Sequence, residues 1–491
     1  MNLWGKFIDA QAELRKIYHA IAVLSWDQQT YMPKLGTEAR AESLAYLEKL
    51  AHSRLISEEF SQLIKDLEAV QDDETRGPIY RAARRNYESS AKIPSDLIEE
   101  SARANSLAIA AWQEAKLKED FSLFEKQLEK QFELALKKAE ALGYEDEPYD
   151  ALLGVFEPGM KTKDVDEIFS QLKEALMPLL KEVVANQGDK PNLFNQDFSK
   201  QGQWDLGIKA LKEMGFDFDS GRQDYSAHPF TIGLDPKDVR ITTQINERTF
   251  PASLFSSLHE GGHALYEQGI PSEWRHLAVG RAASLAVHES QSRLWENIVG
   301  RSKEYLLHLW PTMIELFPKQ LQDVEFDLFY QAVNWVNPSL IRVDADEVTY
   351  NLHIFVRFEL ERDVLCGRLK VKDLPDAWNE KIKQYLGLEV PSPSKGLLQD
   401  IHWSLGSIGY FPTYALGNIM ASQFYAKAEL DLPNLQYDIA EGKLITLREW
   451  LRENIHKKGS TLIPLELVKD VTGKELSVEP YIIYLKNKYL R

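Results

Sequence analysis

Apolar residues recur at three- and four-residue intervals through most of the first two hundred positions, as in residues 120–142 and 165–184. That period commits the chain to helices that each bury one face. Helix breaks are expected near residues 71–78, 92–95, 143–148 and 186–203. The last of these is long, polar and rich in Gly, Asn and Gln, and reads as a loop rather than a domain boundary. One short region reads as β: residues 229–233 and 239–243 flank Asp235-Pro236-Lys237-Asp238, a turn with proline at its second position. Helical patterning then returns. The expected fold is mainly α, with one small sheet.

Charge and cysteine usage narrow the function classes. A net charge of -17 over 491 residues argues against nucleic acid or an anionic membrane as main partner. The single cysteine, Cys366, cannot form an internal disulfide, which fits a reducing compartment. It precedes Gly367 at an expected helix end and reads as a buried small residue. The first residues lack a basic start followed by an apolar core, and no run of eighteen apolar residues occurs. A cytoplasmic location is expected.

The chemistry is concentrated in Ser257-Leu258-His259-Glu260-Gly261-Gly262-His263. Leu254, Phe255, Leu258, Gly262 and Leu265 follow one another at helical spacing, after Pro251 in the first turn and before a stop at Gly269 and Pro271. On that helix His259 and His263, four apart, share a face and can point at one ion. Glu260 can then reach a water at that ion, the arrangement of zinc-activated hydrolysis. Two glycines in mid-helix cost about 1 kcal/mol each relative to alanine. Their presence implies that another backbone, or a substrate, comes close at Gly261 and Gly262.

A catalytic zinc needs a third protein ligand. Downstream, Val287, Leu294, Ile298 and Val299 mark a partly buried helix that carries both His288 and Glu289. Burying Glu289 calls for a positive partner. A zinc ion would serve, and so would Arg293 one turn later. Spacing alone leaves Glu289 and His288 as competing ligands.

At this point the chain resembles the carboxypeptidase Taq family of metallocarboxypeptidases. Six motifs in the family's order carry the resemblance: His228-Pro229-Phe230; Asp238-Val239-Arg240-Ile241-Thr242; His259-Glu260-Gly261-Gly262-His263; His288-Glu289-Ser290-Gln291; Ile341-Arg342-Val343-Asp344-Ala345-Asp346; and the run from Gly396 through Gln399, Asp400 and His402 to Trp403. The resemblance implies metal ligands His259, His263 and Glu289, with zinc as the ion and cobalt or manganese as substitutes. It also implies Glu260 as general base, and one mostly helical catalytic domain over residues 1–491 with a deep groove. The N-terminal helical part would span about 1–200 and the metal and substrate site about 225–420. A homodimer acting on peptides with free C-termini is expected. An endo-oligopeptidase or dipeptidase on a similar scaffold, or a non-catalytic metal-binding protein, is the alternative.

A carboxypeptidase must recognise a terminal carboxylate, and the planar fork of arginine suits both oxygens. Arg342 and Arg240 are the candidates, Arg342 first. Ion pairs with Asp344 or Asp238 are the structural alternative. Asp344 and Glu347 form a capping-box-like pair expected to start a helix ahead of Val348, Leu352 and Phe355. Hydrolysis also needs donors for a developing oxyanion. His402 comes first and Tyr410 second, with Tyr414 and His228 as further groove residues. Tyr410, Phe411 and Tyr414 could instead simply pack a wall.

Overall fold

The structure is a computed structural model that describes residues 2–490. The chain forms two compact units, each assembled from three separated stretches. The first comprises the residues up to Ser90, then Pro191–Val333 and Ala421–Glu475; the second comprises Ala91–Lys190, Asn334–Met420 and the residues from Leu476 onward. The expected breaks are present: helices run Gly77–Ala91, Ser95–Lys118, Ser122–Leu142, Pro148–Phe156 and Thr162–Asn186, and the next helix is Lys200–Met214. The chain passes from one unit to the other inside the 186–203 loop, between Lys190 and Pro191. No described helix is long and apolar enough to cross a membrane.

In the first unit, a 28-residue helix, Leu3–Thr30, opens on Asn2, whose side chain accepts from the Gly5 N–H at 2.8 Å. Its Phe7 and Leu14 pack with Phe60, Leu63, Ile64 and Tyr80 into one apolar core. The small sheet has three strands, β1 (Gly221–Tyr225), β2 (Thr231–Asp235) and β3 (Asp238–Thr243), in the order β1-β3-β2. The β2–β3 hairpin is antiparallel, as its turn sequence predicts, while β1 pairs parallel to β3 and was not anticipated. Val239 and Ile241 are fully buried, and β2 and β3 lie against the helix Ala252–Gly269 that carries the two histidines.

The second unit is organised by a helix, Tyr350–Leu365, that is buried on nearly every side and yet carries Asn351, His353, Arg357 and Glu361 inward. It begins later than expected. Asp344 and Glu347 do not cap it: Asp344 closes a 3₁₀ turn, Arg342–Asp344, and Thr349 stands at the helix N-cap. Asp346, not Asp344, accepts the N–H groups of Val348 and Thr349, at 3.0 Å each. Glu347 points elsewhere, taking hydrogen bonds from Tyr484 and Tyr489 and a contact from Lys488. Cys366, at the end of this helix, is half-buried rather than buried.

Candidate functional site

The histidine helix, Ala252–Gly269, starts one residue later than expected, with Pro251 at its N-cap. Leu254, Leu258 and Leu265 are at most 2 % exposed, so the apolar stripe faces inward and His259 and His263 share the adjoining face. Of the two mid-helix glycines, Gly262 has the close backbone that its cost implied, whereas Gly261 faces side chains. A methyl at Gly262 would lie 2.6 Å from the Gln291 carbonyl oxygen and 2.7 Å from Ser292 Cα. One at Gly261 would meet Leu211 at 2.7 Å. Backbone-to-backbone contact thus brings the following helix, Leu285–Arg293, against the histidines.

That contact presents Glu289. The ligand atoms of His259, His263 and Glu289 all lie within 4.8 Å of one another. Nε2 of His259 is 3.8 Å from Glu289 Oε2, and Nε2 of His263 is 3.4 Å from it. Ligands about 2 Å from a common tetrahedral centre stand roughly 3.3 Å apart, so two imidazole nitrogens and one carboxylate oxygen at these separations fit a divalent ion. His288 does not compete: its Nε2 meets Glu267 Oε1 at 3.0 Å. Of the two partners proposed for Glu289, Arg293 is in place. Arg293 Nε donates to Oε1 at 2.7 Å, which leaves Oε2 to the histidines.

Electrostatics reinforce the geometry. Burial pushes the Glu289 carboxyl up, but Arg293 and the histidines outweigh it and hold the group below the usual carboxylate range. Burial lowers His263 to about 3, with His288 adding to the effect, which keeps the ring neutral and ready to ligate. His259 is steered by Glu296, whose Oε2 lies 2.8 Å from its Nδ1. Such a carboxylate fixes the tautomer that leaves Nε2 free to ligate. Glu296 was missed in the sequence. The signal was there: Glu289, Arg293 and Glu296 follow at i, i+4 and i+7, one helix face, and Arg293 touches both acids. The helix loosens into a π-helical turn at Leu294–Val299, where Glu296 sits.

Glu260 is 6 % exposed, and burial, the largest influence on it, raises its pKa. The Thr231 hydroxyl on β2 donates to its Oε2 at 2.7 Å. A buried carboxylate with raised proton affinity, beside a ligand, is suited to accept and return a proton. Arg240, on β3, is committed to Asp238, through 2.8 Å bonds to both carboxylate oxygens, with its guanidinium 4.6 Å from the Trp26 ring. Arg240 thus makes the ion pair with Asp238. His228 is exposed.

The remaining candidates gather in the second unit. Arg342 is 6 % exposed; its Nε and Nη2 both donate to Asp400 Oδ1, at 3.0 and 2.9 Å, and its Nη1 reaches the Tyr350 hydroxyl at 2.9 Å. Its partner is thus Asp400, not Asp344. The fully buried Arg357, which sequence reasoning passed over, holds the other oxygen of Asp400. Two guanidinium groups against one carboxylate leave a surplus positive charge. The Tyr414 ring lies 5.0 Å from the Arg342 guanidinium. His402 Nε2 is 3.4 Å from the Tyr414 hydroxyl, and its ring centroid is 5.3 Å from that of Tyr410. Burial lowers the His402 pKa to about 4, so the ring is neutral near pH 7.

Known proteins match this chain end to end. Residues 6–489 match the family described as Carboxypeptidase Taq (M32) metallopeptidase. Carboxypeptidase 1 of Bacillus subtilis is 40% identical over 99% of this chain and 97% of its own length. Thermostable carboxypeptidase 1 of Thermus thermophilus is 41% identical over 99% of this chain and 98% of its own. The solved structure of the Pyrococcus furiosus carboxypeptidase, 38% identical, superposes with a TM-score of 0.97 and covers 100% of this chain and 99% of that one. Family match, identity and fold agree over the whole length: the chain belongs to the carboxypeptidase Taq (M32) family of metallocarboxypeptidases.

Proposed function

We propose that this chain releases amino acids from the free C-terminus of peptides, with zinc held by His259, His263 and Glu289. Cobalt or manganese would suit the same donors. The observation that carries the reading is the placement of Glu260, buried, one residue from a ligand, and steered at Oε2 by Thr231. A purely structural ion would need no such base and would be closed by four protein ligands. When bound, the divalent ion supplies polarisation of a carbonyl and acidification of water. Glu260 takes the proton of the attacking water on Oε1 and passes it to the leaving amine. His402 donates to the developing oxyanion, with Tyr410 as second donor. Arg342 receives the terminal carboxylate, supported by the positive surplus that Arg357 creates around Asp400. Arg240, His228 and Tyr414 contact the peptide further along. We further propose a cytoplasmic homodimer with one catalytic domain per chain. The lone cysteine suits that compartment.

The test is a mass readout of products from one peptide as free acid and as C-terminal amide, each with and without a chelator. Stepwise loss of single residues from the free acid alone, stopped by the chelator, is the expected result. Internal cleavage, or equal turnover of the amide, would sink the reading in favour of an endopeptidase.

A further inference from the structure

The two histidines of the triad are held in different ways. His259 has Glu296 on its Nδ1. His263 has no such partner: its Nδ1 is buried without a hydrogen bond. A ligating imidazole ordinarily depends on a bond at its second nitrogen for orientation. His263 has a ring face in its place. The His288 imidazole stacks on it at 4.4 Å between centroids with 17° between planes. The stack continues: Tyr266 lies on His288 at 5.5 Å and 20°, and His456 lies on Tyr266 at 4.9 Å and 26°. Each ring beyond His263 has its own anchor. His288 bonds Glu267 at 3.0 Å, the Tyr266 hydroxyl accepts from the Ala283 N–H at 3.3 Å, and His456 meets Gln291 Oε1 at 2.9 Å. Offset stacking at these separations is attractive and holds the plane of a ring whose Nδ1 has no hydrogen bond.

We propose that His288 is a positioning residue: pinned by Glu267 and backed by Tyr266 and His456, it sets the plane of His263 and thereby the affinity of the triad for its ion. This rests on the reading that His259, His263 and Glu289 hold that ion. Supporting groups of this kind typically contribute about tenfold to a hundredfold in metal affinity.

The test is the dissociation constant for Zn²⁺, read on the full chain by competition with a fluorescent chelator, so that no turnover enters. His288→Ala should weaken binding by at least about tenfold. His288→Phe keeps a flat ring without the bond to Glu267, and should recover to within about threefold of the unaltered chain. Tight binding by His288→Ala would overturn the proposal. So would a His288→Phe variant as weak as the alanine, since the hydrogen bond and not the stack would then matter. Should His288→Ala not fold, His288→Leu fills the space without a flat ring; it should bind about tenfold more weakly than His288→Phe, and equal affinities would overturn the proposal. His263→Ala separates the two readings. It should abolish binding at this site, and if it does not, the ligand assignment has failed rather than the stack.

Discussion

Around His259 and His263, the carboxylates Glu260, Glu289 and Glu296 share a buried region with the guanidinium groups of Arg293 and Arg301; around Asp400, the guanidinium groups of Arg342 and Arg357 face a single carboxylate. With both imidazoles neutral, as ligation requires, the first cluster is left with excess negative charge and the second with excess positive charge. Unbalanced charge is costly to bury, and a fold retains it where a counter-ion is to arrive. The first imbalance is one that a metal cation would offset; under the proposed function, the terminal carboxylate of a peptide would offset the second.

The largest expected effect separates chemistry from binding in the first cluster. Glu260→Gln should lower kcat by about a thousandfold while metal content, measured by elemental analysis, stays unchanged. Near-normal turnover would break the assignment of proton transfer to that group. In the second cluster, Asp400→Asn would leave Arg342 and Arg357 facing each other without compensation. A loss of about 3–5 kcal/mol in urea unfolding is expected, and a loss under about 1 kcal/mol would show that the balance there does not matter.

Glu361 sharpens the same comparison, because its partners carry no charge. It takes hydrogen bonds from the Tyr149 hydroxyl at 2.8 Å, Trp403 Nε1 at 2.7 Å and the Gly409 N–H at 3.0 Å. Even so, burial raises it to about 7, whereas burial of Asp400 is outweighed by Arg357 and Arg342 and its pKa falls. A carboxyl raised on folding contributes stability that is present below its ordinary range and lost as pH climbs through about 7. Unfolding measured from pH 5 to pH 9 should show a decline of about 3 kcal/mol that Glu361→Gln flattens. An unchanged slope in that variant would place the titration elsewhere. The smallest effect belongs to Arg240 and Asp238, whose side chains are 20% and 35% exposed. Arg240→Ala should cost no more than about 1 kcal/mol in stability, so any larger loss of kcat/KM on peptides would point to substrate contact.

Much of this was legible in sequence, and the failures share a cause. The β2–β3 hairpin could be read because proline at the second turn position forces a local reversal. β1 could not, because Gly221-Arg222-Gln223-Asp224-Tyr225 has no β-branched residue and it pairs parallel to β3, past the intervening β2, with no turn between the two strands to signal it. His259 and His263 were readable because helical spacing is rigid, whereas spacing left Glu289 and His288 in competition and only the family resemblance chose between them. Glu296 and Arg357 were passed over because a charged residue on a helix is expected at the surface, and here both point inward. The helix Tyr350–Leu365, buried all round, has no polar face to reveal its orientation. The capping prediction failed at Asp346 for a more ordinary reason: two aspartates lie within three residues, and the pattern alone does not choose between them.

The missing side chain at Gly262 has a consequence for which ions the centre can accept. Because the main chain at Gln291 and Ser292 rests directly on that glycine, the gap between the imidazoles and Glu289 is set by two abutting helices rather than by flexible side chains. Tolerance for ionic radius is then a property of the scaffold: a residue as small as alanine at position 262 would act as a wedge, and the opening would shift towards larger cations before any ligand had changed.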